Sequence, residues 1–293
     1  MSFWDSYKVI RTEKRFQPVK RDPLPPLTIQ PSIATSADVP DLTTFLTTYF
    51  GDAHHPVLKP VLKPSNQELI LYLKKGTDIQ ATIRYKYAGI FEGQSIYLID
   101  CFCAKERKTG LARHLMTSVH LQTDRIPNAL FLKEGRPISG QDPLYSSYYM
   151  YRRRRSIPES CFSITTQQAY ALVNTYRRIH KDMFWISECR NPNQHWRLWK
   201  RGQLWSLACF QDSFQRISKE TLGWMTAFVG NTAAGLETLV DHCPFPWIWA
   251  DRCWITEPGN WLVDGPFHWY TYRWTTSLMP GAGLALRCYG IVV

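Results

Sequence analysis

The sequence has no apolar run of about 20 residues, the length that a membrane-spanning helix needs. It also has no Cys-x-x-Cys pair. Cys101 and Cys103 are spaced C-x-C, and no Cys/His pair follows them at zinc-binding spacing. These absences argue against a membrane protein and against a metal site. We expect no secretory signal in the N-terminal residues, and most of the eight cysteines lie in apolar runs. We therefore expect buried free thiols in a cytoplasmic protein.

Acidic residues are few, with 24 Asp and Glu against 35 Lys and Arg, so the formal net charge is +11. Such a charge favours anionic partners, which include nucleic acid, a membrane surface and a phosphate-rich cofactor. Composition alone does not choose among them. The run Arg152–Arg155 leaves association with the ribosome or a membrane surface open, beside the alternative of a solvated face.

The pattern of the first half is that of a mixed α/β protein. Prolines in residues 1–34 exclude a long helix there and predict an extended arm. The elements expected after the arm are helices over 40–49 and 69–73, strands over 81–87 and 95–102, a helix over 111–121 and a strand over 129–132. The second of these helices is predicted because residues 65–68 resemble a capping box.

The second half repeats part of this pattern. Residues 42–49 resemble residues 169–176 in the spacing of their apolar side chains. The elements expected in this half are a hairpin over 196–209 that turns at Arg201-Gly202, a mostly helical segment over 218–239, and β-strands over 247–250, 267–274 and 284–293. Two similar α/β halves are the simplest account. We predict an arm over 1–34 and halves over 35–155 and 156–293.

One loop carries a specific chemical signal. A predicted strand runs into Arg107-x-x-Gly110-x-Ala112, and an amphipathic helix begins there. Small residues allow the backbone to approach a phosphate closely, and the amide groups at the start of a helix attract anions. The pattern resembles the pyrophosphate loop of acyl-CoA-dependent enzymes of the GNAT superfamily. The alternative is an ordinary strand–turn–helix connection.

The chain also resembles the N-myristoyltransferase family in four stretches, in the family's order. Phe3-Trp4-Asp5-Ser6 is similar to the family's N-terminal F-W-x-T-Q-P-V. Residues 24–73 are similar to its L-P-x-G-F segment, the following helix and an acidic loop, of which only Asp52 keeps the acidic character.

The third and fourth stretches lie further along the chain. Residues 101–115 are similar to the family's L-C-V-H-K-K-L-R-S-K-R-x-A-P-V-L, and residues 264–274 to its D-G-N-L-Q-Y-Y-L-Y-N-W. The last residues, Gly290–Val293, are similar to the family's apolar C-terminus. The resemblance implies two tandem GNAT-like halves in one saddle-shaped unit. It also implies transfer of myristoyl from myristoyl-CoA to the N-terminal glycine of a peptide or protein, by a monomer without metal.

The resemblance also implies roles for single residues. The backbone amides of Ile99 and Asp100 are expected to polarise the thioester carbonyl, and the C-terminal carboxylate of Val293 is expected to accept the proton of the glycine amine. Binding of acyl-CoA is expected from Ser2, Phe3, Trp4, Cys101, Phe102, Arg107, Lys108, Thr109, Gly110, Leu111 and Ala112. Binding of the peptide is expected from Asp52, Leu132, Tyr148, Asp264 and Gly265.

Two alternatives stay open beside this interpretation. The chain could transfer acetyl rather than myristoyl to an amine, or it could bind acyl-CoA or an acylated peptide without catalysis. The family's asparagine before its two amide donors falls on Leu98, and its catalytic-region threonine falls on Leu132. Asp264 could also be only a turn residue.

Overall fold

The structure is a computed structural model. It describes residues 30–49, 62–91, 94–106, 110–111, 114–116, 118, 128–138, 143, 145–155, 161–179, 194–232, 234–255 and 259–272. Most of the predicted arm and the strand over 284–293 lie outside these residues. No helix among the described residues is long and apolar enough to cross a membrane. Cys101, Cys103, Cys161, Cys209 and Cys243 are free thiols.

The chain divides into two compact units. The first comprises Met1–Tyr87, Gln94–Leu144 and Trp269–Leu278, and the second comprises Ala88–Gly93, Tyr145–His268 and Met279–Val293. The elements of the first unit are β1 (Ser32–Ile33), α1 (Val39–Tyr49), β2 (Glu68–Lys75), β3 (Asp78–Phe91, which belongs to the first unit up to Tyr87), β4 (Gln94–Ala104), α2 (in which residues 111, 114–116 and 118 are helical) and β5 (Asn128–Glu134). The strands lie in the order β1-β2-β3-β4-β5.

Strand β2 replaces a predicted helix. The helix expected over 69–73 is wrong, because both faces of this segment are covered. Leu71 and Leu73 pack in one core cluster, and Ile70 and Tyr72 pack in another. A strand buried on both faces is apolar at successive positions and cannot be told from a buried helix by periodicity. The residues read as a capping box form a tight turn closed by Ser65 and Glu68.

Among the described residues, each face of this sheet packs against one helix. On the α2 face, strand residues pack with Leu115 and Met116 of α2. On the α1 face, strand residues pack with Leu42, Phe45 and Leu46 of α1. The predicted helix over 40–49 is confirmed by α1, and the predicted strand over 129–132 by β5.

The second unit repeats this element order. Its elements are β6 (Tyr145–Arg153), β7 (Cys161–Ile164), α3 (Thr166–Ile179), β8 (His195–Arg201), β9 (Leu204–Ile217), β10 (Glu220–Gly230), α4 (Leu236–Asp241), β11 (Trp247–Asp251) and part of β12 (Leu262–Tyr272). The hairpin predicted over 196–209 is confirmed, and Gly202 turns it with φ of 60°. The mostly helical segment predicted over 218–239 is wrong, because it holds β10 and only the short helix α4.

The two units share one plan. In each unit, an edge strand is followed by a helix and then by three strands. A second helix then connects the last of these three strands to a further strand that is parallel to it. The parallel pairs are β4/β5 in the first unit and β10/β11 in the second. Helices α1 and α3, which contain the two sequence segments predicted to be related, occupy equivalent places in this order.

Two strands depart from a simple tandem order. Strand β6 follows β5 in the chain but pairs with β11 in the second unit. Strand β12 contributes its residues up to His268 to the second unit, and from Trp269 onward it belongs to the first, beside β5. The compact units therefore do not follow a single cut at residue 155. The division into halves over 35–155 and 156–293 stays a prediction.

Candidate functional site

Strands β4 and β5 are paired only over their first residues. The parallel register joins Ile96–Ile99 to Asn128–Phe131, and the strands continue to Ala104 and Glu134. The register of paired positions thus ends in the middle of both strands. Ligands of α/β sheets bind outside the carboxyl ends of the parallel strands, so the unpaired ends of β4 and β5 are the place to look for a ligand site.

A β-bulge in β4 follows the last paired residue. Tyr97 and Ile99 pack on the α2 face of the sheet, and Phe102 packs there too, although regular alternation would put it on the opposite face. Cys101 packs on the α1 face. One extra residue at Asp100-Cys101 accounts for this shift. Cys101 has φ of 47°, a left-handed conformation that costs a non-glycine residue on the order of 1–2 kcal/mol.

A buried ion pair holds the first bulge residue. Arg84 of β3 donates from Nε and Nη2 to the two carboxylate oxygens of Asp100, both at 2.5 Å. Glu68 of β2 lies 3.6 Å from Arg84 Nη1, and the side chains of Arg84 and Glu68 are 8% and 7% exposed. Burial works against the charge of Arg84, but the neighbouring carboxylates raise the pKa of its guanidinium above the ordinary value. Arg84 is therefore a fixed cation under the bulge.

The carbonyl of Cys101, the second bulge residue, is also fixed by a hydrogen bond from β3. The Thr82 hydroxyl donates to the Cys101 carbonyl oxygen at 2.9 Å, and Thr82 is completely buried. Thr82 and Arg84 are alternate residues of β3, so both side chains are on the same face of the sheet. Glu68, Thr82 and Arg84 were not among the predicted site residues, and Glu68 figured only in the predicted capping box. The one signal that Thr82 and Arg84 gave is a polar residue between apolar neighbours in a predicted strand.

The predicted phosphate loop begins α2. Gly110 has φ of 77°, and its carbonyl accepts the first helical hydrogen bond from the His114 N–H at 3.0 Å. Leu111 packs against the α2-face cluster. The N–H groups of a first helical turn have no acceptor within their helix. The chain order of β4, Gly110 and α2 agrees with the strand–loop–helix that the sequence predicts. Arg107, Lys108, Thr109 and Ala112 lie outside the described residues.

The remaining predicted site residues fall into two groups. Those outside the described residues are Ser2, Phe3, Trp4, Asp52 and Val293. Among the others, Ile99, Asp100, Cys101 and Phe102 all lie at the bulge, and Leu132 directly follows the paired part of β5. The structure brings these five together at the β4/β5 divergence.

The predicted peptide-binding residues of the second unit lie in β6 and β12. Tyr148 is in β6 and is 51% exposed. Asp264 is exposed in β12, and its Oδ1 accepts the N–H of Gly265 at 2.8 Å. The peptide-binding roles of Tyr148, Asp264 and Gly265 stay predictions.

Arginines of the run Arg152–Arg155 bind other residues of the second unit through their side chains. Arg152 is 2% exposed and pairs with Glu237 and Asp241 at 2.8 and 3.0 Å. Arg154 donates to the Cys243 carbonyl at 2.8 Å. Arg153–Arg155 are exposed, so the run is partly a solvated face and partly a tie between β6 and the α4 region.

Burial disfavours a nucleophilic role for the Cys101 thiol, which is 2% exposed. Burial, and after it the Asp100 carboxylate, raise the pKa of Cys101 above its ordinary value. Because the thiolate is the reactive form, a covalent acyl-cysteine at this position is disfavoured at neutral pH. Among the described residues no group of three or more His, Cys, Asp or Glu is placed to hold a metal ion.

We expect Cys101 to resist alkylation in the native protein at pH 8. Burial raises the pKa of Cys209 and Cys243 to about 12, and that of the half-buried Cys161 to about 11. Iodoacetamide labelling with peptide mass mapping should therefore modify Cys161 before Cys101, Cys209 or Cys243. All four cysteines should react equally in 8 M urea at about the same pH. Rapid labelling of Cys101 in the native protein would contradict the expectation that burial protects this thiol.

No protein-family model and no curated protein matches the sequence. The structure is similar to that of Saccharomyces cerevisiae N-myristoyltransferase with bound myristoyl-CoA, with a TM-score of 0.60 and 10% identity over 98% of this chain and 96% of that chain. A second structure of that yeast enzyme, with myristoyl-CoA and inhibitors, gives a TM-score of 0.58 and 10% identity over 91% and 86% of the two chains.

A further match is the GCN5-related glucosamine N-acetyltransferase region of a fungal multi-domain GH3 β-N-acetylglucosaminidase. Its TM-score is 0.51 at 8% identity, over 87% of this chain and 39% of that chain. At these identities the likeness concerns the fold. The predicted fold class, α/β with GNAT-like halves of the N-myristoyltransferase type, is confirmed.

Proposed function

We propose that this chain transfers the myristoyl group of myristoyl-CoA to the N-terminal glycine amine of peptides or proteins. The observation that carries the proposal is the bulge in β4, where the pairing with β5 ends after Ile99 and Phe131. The likeness to a yeast N-myristoyltransferase with bound myristoyl-CoA over almost the whole chain supports the same reading.

The acyl-CoA molecule would lie in the first unit. Its pantetheine would extend between the diverging ends of β4 and β5, and its diphosphate would bind at the start of α2. Gly110, at the start of α2, has a left-handed conformation. The amides at the start of a helix bind anions, so the diphosphate would bind there. The predicted cations Arg107 and Lys108 would add charge–charge attraction. A net charge of +11 suits a cofactor that carries several phosphate charges.

The reaction needs an oxyanion site at the thioester. The glycine amine loses its proton and attacks the carbonyl carbon, a C–N bond forms, and the C–S bond breaks. CoA leaves as a thiolate and takes up a proton, so the products are the amide and CoA. Backbone amides at Ile99 and Asp100, beside the bulge, would stabilise the negative oxygen. The proton acceptor proposed from the resemblance, Val293, lies outside the described residues.

Two other functions compete with this proposal. Acetyl transfer to an amine is favoured by the likeness to a GCN5-related acetyltransferase region. Binding of acyl-CoA without transfer is favoured by Leu132, which is apolar where the family resemblance implies a threonine.

We expect the purified protein to acylate a peptide that begins with glycine when myristoyl-CoA is supplied. Peptide mass spectrometry should show the mass of one myristoyl group at the N-terminus. Peptides that begin with alanine or N-acetylglycine are the matched controls and should stay unmodified, since the first adds a methyl group and the second removes the nucleophile.

Acetyl-CoA in a parallel reaction separates the alternatives. Transfer from acetyl-CoA but not from myristoyl-CoA would identify an acetyltransferase. Tight binding of myristoyl-CoA by calorimetry without any transfer would identify a binding protein. A chain that neither binds nor transfers would refute the proposal.

A further inference from the structure

The β4 bulge is held from the neighbouring strand and not from β4 itself. Thr82 and Arg84 of β3 contact successive bulge residues: Thr82 holds the carbonyl of Cys101, and Arg84 holds the carboxylate of Asp100. In the β2/β3 register, Thr82 lies opposite Tyr72 and Arg84 lies opposite Ile70. Both of those β2 residues pack on the α1 face. The two β3 side chains therefore form a clamp on one face of the sheet.

The contacts of the clamp are more specific than those needed to hold two neighbouring strands together. A strand can be held to its neighbour by backbone hydrogen bonds alone, and a buried arginine is costly unless every charge is matched. Here a two-pronged guanidinium fixes the orientation of Asp100, and the Thr82 hydroxyl fixes the peptide plane between Cys101 and Phe102. Because the peptide bond is planar, the Phe102 N–H at the other end of that plane is fixed as well. The bulge is thus held on both sides of the Asp100-Cys101 link, and its conformation sets the direction of the Ile99 and Asp100 amides that precede it.

We propose that Thr82 and Arg84 are positioning residues for acyl transfer, which hold the Asp100-Cys101 bulge so that the amides beside it point at the thioester carbonyl. This inference rests on the proposed function. Neither side chain touches the reacting atoms in this scheme. Both act through the backbone of β4, from the face of the sheet that carries α1.

Thr82→Val tests the clamp with minimal disturbance. Valine has nearly the shape of threonine, so the substitution removes one buried hydroxyl and no volume. Loss of an oxyanion donor lowers kcat by about 100- to 1000-fold, and a misdirected donor should lose part of that. We expect kcat to fall about 10-fold, with the KM for myristoyl-CoA changed less than about 2-fold, because the amide contacts the carbonyl mainly in the transition state.

Arg84→Lys is the second variant. Lysine keeps the positive charge but cannot make the two parallel hydrogen bonds of a guanidinium. We expect a similar fall in kcat with the same small change in KM. If Thr82→Val does not fold, Arg84→Lys still tests the clamp.

A spectroscopic readout separates positioning from stability. Myristoyl-CoA labelled with 13C at the carbonyl should show a lowered thioester stretching frequency on the wild-type protein when no peptide is present. In Thr82→Val the band should move back toward its value in water. A thioether analogue, which has no carbonyl, should bind wild type and variant with equal Kd.

Thr226→Val is the matched control. Thr226 of β10 is 1% exposed, and its hydroxyl lies 3.5 Å from the Cys209 carbonyl oxygen in the second unit. The same change there should leave the carbonyl band and kcat as in wild type. If the wild type transfers myristoyl but the band and kcat are also unchanged in Thr82→Val, the positioning role is overturned and the proposed function stands. If the wild type binds no acyl-CoA, the positioning role and the proposed function are both refuted.

Discussion

Replacing Arg84 by methionine should lower the free energy of unfolding by about 3–5 kcal/mol, since it leaves a buried carboxylate without its cation. Asp100 would lose both hydrogen bonds from the guanidinium, and Glu68 would lose a charge 3.6 Å away. Urea titration followed by far-UV circular dichroism measures the change as a lower midpoint at an unchanged m-value.

Two further variants make the result specific to the buried pair. Arg216→Met removes an exposed arginine whose partner is Asp212, at 3.0 Å on β9, and should cost no more than about 1 kcal/mol. Adding Asp100→Leu to Arg84→Met should restore part of the lost stability, because an apolar pair needs no counter-charge. Equal losses for Arg84→Met and Arg216→Met would contradict the picture of a buried, obligatory pair.

The surroundings of the Arg84–Asp100 ion pair show which features of the site could be predicted from the sequence and which could not. The strand–loop–helix around Gly110 could be predicted, because a glycine, flanking cations and an amphipathic run signal it within a few residues. The bulge could not be predicted. It depends on Arg84 and Thr82, which lie 16 and 19 residues before the groups they bind. Only the pairing of β3 with β4 brings these residues together.

Bulges also explain the segment that was mistaken for a helix. Between Met225 and Ala227, β10 advances by two residues while its β9 partners advance by one, from Phe210 to Cys209, so β10 carries one extra residue there. Met225 and Phe228 pack in the same core cluster as a result. Each extra residue breaks the two-residue period of a strand and creates the three-residue spacing typical of a helix face. The equivalent strands β4 and β10 are thus both bulged, and periodicity is least informative in both.

Gly110→Val should weaken the binding of CoA by about 10- to 100-fold, since it disturbs the loop that is proposed to hold the diphosphate. Gly110 has φ of 77°, and a Cβ atom there would meet nothing within 4 Å, so the effect is conformational and not a clash. A β-branched residue avoids positive φ. The peptide plane would rotate to relieve the strain and turn amides away from the phosphates.

Gly76→Val is the matched control for this variant. Gly76 in the β2–β3 turn has φ of 63° and the same open space, so the strain is comparable and only the location differs. Both variants should lose stability to a similar extent, and only Gly110→Val should lose affinity. Calorimetry with CoA itself measures that affinity without any transfer reaction. An equal Kd for the two variants would rule out the start of α2 as the phosphate site. Backbone strain alone would then account for the effects of Gly110→Val on stability and on affinity.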